Sequence, residues 1–345
     1  MSDVNRLGPE LALLFAAALG VILDAALPAR AAVLRRAVSV ALALTGTAAS
    51  VAWSLALIAA DEKGPAFSGV MVVDDFALFF NFLFAGIAAA IILASFDLLD
   101  RSRFPAEYLA LVLASAAGMM LMAASVDLIA IFVALELQSI SLYILVGFLK
   151  DRLSSEAALK YLLVGAISTA LTLYGMAYLF GLSGSTDLDE IAGFVGNAGA
   201  GTRSALVLAA VFLAAGLGFK MAVVPFQMWV PDVYEGAPTP VAAYLSVASK
   251  AAGFAVVTRI FVVALGQGLI SSDWANMFAA MAAISMTLGN VMALLQTDVK
   301  RMLGYSSIAQ AGTLIIGLAA VAAQDRQLLL GTSSVVFFLG TYAFT

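Results

Sequence analysis

Apolar stretches of about twenty residues, separated by short polar segments, recur from one end of this sequence to the other. A helix rises about 1.5 Å per residue, so about 20 apolar residues cross the roughly 30 Å hydrocarbon core of a bilayer. Eleven stretches qualify: 9–28, 37–60, 74–96, 106–124, 126–148, 157–182, 204–230, 240–267, 274–296, 302–322 and 327–345. None alternates over about ten residues, as a lipid-facing barrel strand does. The pattern therefore predicts an all-α polytopic membrane protein, with a single transmembrane domain over residues 1–345. MSDVNRLGPE lacks the basic lead of a signal peptide, so the first stretch is read as a retained helix. The last, ending VVFFLGTYAFT, has no flanking charge or turn, and the architecture is expected to continue past it.

Composition sharpens this picture. The chain is 63% hydrophobic and 11% charged, with mean hydropathy +1.05, far from the balance of a soluble domain. Its 17 basic and 22 acidic residues are scattered and sum to a net charge of -5, which argues against a nucleic-acid surface. Cysteine and histidine are absent, so no metal site, iron–sulfur cluster, haem, disulfide or serine–histidine triad built on them is possible. Chemistry here must use carboxylates, lysines, hydroxyls and water. Arg30, Arg35, Arg36, Arg101, Arg103, Lys150, Arg152, Lys300 and Arg301 flank one side of the spans. Arg6, Lys63, Arg203 and Arg326 flank the other. The richer side is expected to be cytoplasmic, with the N-terminus outside. SGSTDLDEIAGFVGNAGAGTR reads as a solvated outer loop.

Glu136, Lys160, Lys220, Lys250 and Arg259 fall inside the apolar stretches. A charge at mid-span costs about 2.5–3.5 kcal/mol on insertion scales, so each needs a reason. The segment GFKMAVVPFQMWVPDVYEGAPTP places Pro225, Pro231, Pro238 and Pro240 between Lys220 and Lys250. If the chain reverses around PDVYEGAPT, both lysines lie about 15 Å deep, at one level near the bilayer middle. Snorkelling falls short from that depth, and the reading is that both face a polar interior and exchange protons. Pro225 cannot donate a backbone N–H and clashes with the carbonyl of residue 221, so the helix is expected to break there, with Pro231 part of the same interruption. In a membrane such backbone survives where it is buried in protein or lines a hydrated cavity. A kink that serves packing alone is the bland alternative. Glu136 lies about 14 Å from the outer end of its helix. It is read as a partner for Lys220, or as a protonated acid bonded to Ser139. Lys160 could form an ordinary pair with Glu156 one turn earlier. Arg259 reads as a fixed charge, and Asp24 as interfacial.

These residues carry a likeness. VPFQMWVPDVYEGAPTPVAAYLSVASKAAGFAV, with ALELQSISLYILVGF, EAALKYLLVGAIST and QTDVKRMLGYSSIAQAG, resembles subunit N of the proton-pumping NADH:quinone oxidoreductases of bacterial respiratory complex I. The resemblance runs from about residue 75 to the end. DVYEGAPTPV is the specific part, since sister subunits and Mrp-type antiporters read closer to DAHAEAPTPVS. It implies an antiporter-like fold of about fourteen spans, with inverted five-helix repeats, a discontinuous seventh helix and a half-channel in each repeat. The chain would then be truncated in its second repeat, whose basic residue would lie beyond Thr345. The family's proton-translocating residues map onto Glu136, Lys160, Lys220 and Lys250. The family often has histidine at Gln227 and near Gln310, so an imidazole relay is not expected here. The implied setting is the bacterial inner membrane, beside other membrane and peripheral subunits and the lipid bilayer. No redox centre is expected in this chain; NAD, FMN, iron–sulfur clusters and quinone would be held elsewhere in the complex. The alternative is a cation/proton antiporter or a hydrogenase-associated subunit of the same superfamily.

Overall fold

The computed structural model describes residues 3–28, 31–266, 268–321 and 328–344. Among them are ten helices long and apolar enough to cross a membrane. The principal helices are α1 (Gly8–Ala26), α2 (Ala32–Ala59), α3 (Asp75–Ala94), α4 (Pro105–Ala124), α5 (Leu128–Val146), α6 (Arg152–Ser183) and α7 (Arg203–Met221). They are followed by α8 (Val230–Gly236), α9 (Thr239–Tyr244), α10 (Lys250–Val257), α11 (Ser271–Leu294), α12 (Val299–Val321) and α13 (Leu328–Tyr342). A two-stranded antiparallel ribbon, Gly64–Ala66 with Met71–Val73, joins α2 to α3. Residues 322–327 and 345, at the ends of the last two expected spans, lie outside the described residues, as do Arg30, Arg326 and the end of span 240–267.

Local chemistry sets the helix starts. Asp74 caps α3 by accepting from the Ala77 amide at 2.8 Å. Pro105 and Pro9 stand in the first turns of α4 and α1, where a missing N–H loses nothing.

The chain divides into two compact units. Unit 1 comprises Met1–Ser125, Ala130–Ala158 and Ala237–Ala248, and unit 2 comprises Val126–Ile129, Leu159–Gly236 and Ser249–Thr345. Unit 1 has a core of aliphatic, small and aromatic side chains from α1, α3 and α4, including Leu13, Phe84 and Ala117, all fully buried. Asp24, read from sequence as interfacial, is buried there and is held by Arg35, whose Nε donates to Oδ1 at 2.9 Å. Unit 2 contains the interrupted stretch.

The expected span 204–230 is not one helix. α7 ends at Met221, residues 222–229 are largely irregular, and α8 resumes at Val230. Pro231, expected within the interruption, lies instead in the first turn of α8. Proline fits there because φ near −65° suits a helix start and the amide would have no partner. The Val224–Pro225 peptide bond is cis. The span after the Pro-rich turn is helical from Thr239 to Ala264, but with π-helical turns at Leu245–Ser249 and Thr258–Ala264 on either side of α10.

Candidate functional site

Lys220 lies in the last turn of α7 and is 3% exposed. The helix ends in a Schellman arrangement. Ala222 takes the left-handed conformation at φ 60°, its N–H donates to Phe219 O at 3.1 Å, and Val223 N–H donates to Gly218 O at 3.1 Å. Glycine is usual at such a position. Trp229 returns to donate its indole N–H to the Phe219 carbonyl at 3.1 Å, and Val224 N–H donates to Ser285 Oγ on α11 at 2.9 Å. Tyr161, Phe219 and Trp229 pack around the same end, with the Tyr161 and Trp229 rings 4.6 Å apart. The Gly218 and Phe219 carbonyls at the break thus have protein partners. The lysine also stands where the partial negative charge of a helix C-terminus favours a cation.

Lys250 opens α10 directly after the first π-helical turn and is 1% exposed. Its Nζ donates to both the carbonyl and the hydroxyl of Ser307 on α12. Ser307 Oγ lies 3.3 Å from the Tyr234 hydroxyl of α8 and accepts from the Tyr342 hydroxyl of α13, also at 3.3 Å. Lys220 and Lys250 share one neighbourhood. α10 crosses the end of α7 at Gly253, one turn after Lys250, where a Cβ would lie 3.1 Å from Lys220 Cβ and 3.3 Å from the Met221 nitrogen. Any larger residue at 253 would press on the end of α7, so glycine lets the two backbones come close.

Lys160 lies elsewhere in unit 2. Its Nζ pairs with Asp232 Oδ2 at 2.7 Å, and its side chain is 44% exposed. Arg301 Nη1 reaches Asp232 Oδ1 and Glu235 Oε2, each at 2.7 Å, and Lys300 donates to the Glu235 carbonyl at 3.1 Å. Five charged side chains from α6, α8 and α12 therefore share one network. Asp232 and Glu235 had no place in the sequence reading beyond the Pro-rich turn.

Burial alone would raise the Asp232 pKa, but hydrogen bonds from Lys160 and Arg301 hold it below the usual aspartate value. The stabilisation from ionised Asp232 is therefore complete above the ordinary value near 3.9 and is lost as pH falls through the lower folded value. Each such half-exposed pair contributes about 1 kcal/mol or less. Asp232→Asn should accordingly lower the unfolding midpoint at pH 7, and the gap from wild type should close on acidification. A gap that stays constant between neutral and acid pH would show that the ion pairs do not hold α8.

Glu136 belongs to unit 1, on α5, and is half-buried. Ser139 donates its proton to the Leu135 carbonyl, so towards Glu136 it can only accept. Tyr143, two turns along the same face, is bonded to Ser139 and lies in the field of the Glu136 carboxylate. Arg259, in the second π-helical turn, is 8% exposed.

Comparison with known proteins places this arrangement. The family described as NADH:quinone oxidoreductase/Mrp antiporter, TM, matches residues 125–345. NADH-quinone oxidoreductase subunit N of Dehalococcoides mccartyi is 44% identical over 284 residues, which cover 81% of this chain and 58% of the relative. NAD(P)H-quinone oxidoreductase subunit 2 of Nostoc punctiforme is 48% identical over 288 residues, 82% of this chain and 52% of the relative. The chain thus spans about half the length of the curated relatives it matches. A chain of respiratory complex I from Thermus thermophilus with bound aureothin superposes with a TM-score of 0.74 at 32% identity, covering 97% of this chain and 70% of that one. A chain of the membrane-bound sulfane sulfur reductase, an archaeal respiratory membrane complex, gives a TM-score of 0.84 at 24% identity over 99% of this chain and 69% of that one, a likeness of fold alone. The fold is the all-helical, antiporter-like one of a multi-pass membrane protein.

Proposed function

The chain belongs to the NADH:quinone oxidoreductase/Mrp antiporter family, and from that premise we propose that it is a proton-translocating membrane subunit of an NADH:quinone oxidoreductase. The observation that carries this reading is the pair Lys220 and Lys250. Two cations, each at most 3% exposed, flank a broken helix and are brought together at Gly253. Burying a cation is costly, and a purely structural subunit gains nothing from doing it twice in one place. In the proposed mechanism the two lysines load and release a proton as the field around them changes. The break in α7 supplies the polar backbone that such a site requires. Glu136 and Lys160, also charged positions inside the apolar stretches, complete the proposed set of proton-translocating residues. The redox chemistry, with its NAD, FMN, iron–sulfur clusters and quinone, belongs to partner subunits in the bacterial inner membrane, and this chain holds no redox centre.

Purification of the native complex tests the assignment. Under mild detergent the subunit should travel with peripheral NADH-oxidising subunits and with quinone reductase activity. Co-purification with hydrogenase subunits, or with a cation/proton antiporter assembly that oxidises no NADH, would overturn it.

A further inference from the structure

Ser307 Oγ has one proton and two lone pairs. Lys250 Nζ–H and the Tyr342 hydroxyl both donate to it, which fills the lone pairs. Its contact with Tyr234, at 3.3 Å, leaves the direction of donation open by geometry alone. Counting settles it: the serine proton has only the Tyr234 oxygen to point at. The hydrogen bonds therefore run in one sense, from Lys250 to Ser307 to Tyr234, and leave the Tyr234 O–H as the outward donor.

We propose that Ser307 and Tyr234 form a two-hydroxyl proton wire between Lys250 and the α8 end of unit 2, and that Tyr342 is a spectator which only donates into it. This inference rests on the proposed role of Lys250 as a proton carrier. On uptake, water at the α8 end gives a proton to the Tyr234 oxygen. The Tyr234 O–H proton passes to Ser307 Oγ, and the Ser307 O–H proton passes to the neutral Lys250 amine. One O–H bond breaks and one forms at each hydroxyl, the lysine gains the positive charge, and the water is left as hydroxide or is re-protonated from bulk. Each transferred proton then points back along the path it came by. The result is lysine donating to serine and serine to tyrosine, which is the arrangement observed. The observed contacts match the wire as it would stand just after Lys250 is loaded.

Three further observations fit. Ser307 and Tyr234 are each 3% exposed, so bulk water does not replace them. Burial pushes the Tyr234 phenol above its usual range, so it passes a proton on without resting as phenolate. Asp232 and Glu235 flank Tyr234 on the short helix α8 and, with Lys160 and Arg301, make a polar, part-exposed cluster on that helix.

The test uses the native complex carrying the full-length subunit, with pumping measured as NADH-driven acidification of inverted vesicles per assembled complex. Tyr234→Phe and Ser307→Ala should each reduce pumping by about tenfold or more, as expected for loss of a positioned proton-transfer group. Ser307→Thr keeps a hydroxyl and should recover most of it. Tyr342→Phe should stay within about twofold of wild type, well short of that loss. Wild-type pumping in Tyr234→Phe would overturn the wire, and so would Tyr342→Phe being as damaged as Tyr234→Phe, which would mark the cluster as packing. A Lys250→Ala arm separates the two levels of inference. If it pumps normally, the carrier role of Lys250 has failed. If it is inactive while Tyr234→Phe is not, only the wire has failed.

Discussion

Replacing Lys220 with alanine should abolish proton translocation through this subunit and slow the coupled redox reaction, whereas arginine should leave assembly intact with proton transfer still impaired. The two substitutions ask different questions of one position. Lysine and arginine both supply a cation to the last turn of α7, where a charge near the helix C-terminus stabilises by about 0.3–1 kcal/mol. Both keep the Cβ that packs against Gly253. Only lysine releases its proton on a useful timescale, since a guanidinium stays protonated in proteins. Alanine removes charge and proton together and leaves the end of α7 without its cation. The measurement is acidification of inverted vesicles driven by NADH, normalised to assembled complex. An arginine variant that pumps at the wild-type rate would make Lys220 an electrostatic anchor, and the proposed route through it would be wrong.

Some of this site was legible in the sequence because burying a charge in a membrane is expensive. Lys220, Lys250 and Glu136 stand out against their apolar runs for that reason alone. Pro225 marks the break at 221 because a missing N–H and a ring clash act within one helical turn. The partners were not legible. Ser307 is one hydroxyl among many, cheap enough to bury that its presence in an apolar stretch signals nothing. Its role depends on α8, α10, α12 and α13 converging, which no local pattern encodes. Asp232, which pairs with Lys160 from 72 residues away, is another such partner, because local spacing could point only to Glu156 one turn before. The helical ruler from Pro240 to Lys250 also assumed α-helical rise and missed the π-helical turn at Leu245–Ser249, which shifts the direction in which Lys250 projects. Ala222 is a further case: it takes the left-handed position that glycine usually fills, so the end of α7 carried no glycine signal.

The frame that fixes Lys220 in place should be as sensitive as the lysine itself. α7 crosses α6 at Gly216, one turn before Lys220, with Ser168 Oγ donating to the Gly216 carbonyl at 2.6 Å. A Cβ at this glycine would lie 2.0 Å from Thr172 Oγ1, 2.6 Å from the Thr172 nitrogen and 2.7 Å from the Ser168 carbonyl oxygen. Two of these are backbone atoms of α6, so no rotamer change relieves the contact and the helices must separate. Overpacking of this kind typically costs about 1–3 kcal/mol and can cost more, and here it also removes the Ser168 hydrogen bond. Gly216→Ala should therefore lower both thermal stability and the pumping of each assembled complex, because the turn carrying Lys220 moves with the crossing. Gly216→Leu should leave little assembled complex in the membrane. Gly181 on α6 has no heavy atom within 4 Å of where its Cβ would stand, and Gly181→Ala should match wild type in both respects. Quantifying assembled complex by native gel, with melting in detergent, decides the matter. If Gly216→Leu assembles and melts like Gly181→Ala, the α6–α7 crossing is not what holds the lysine.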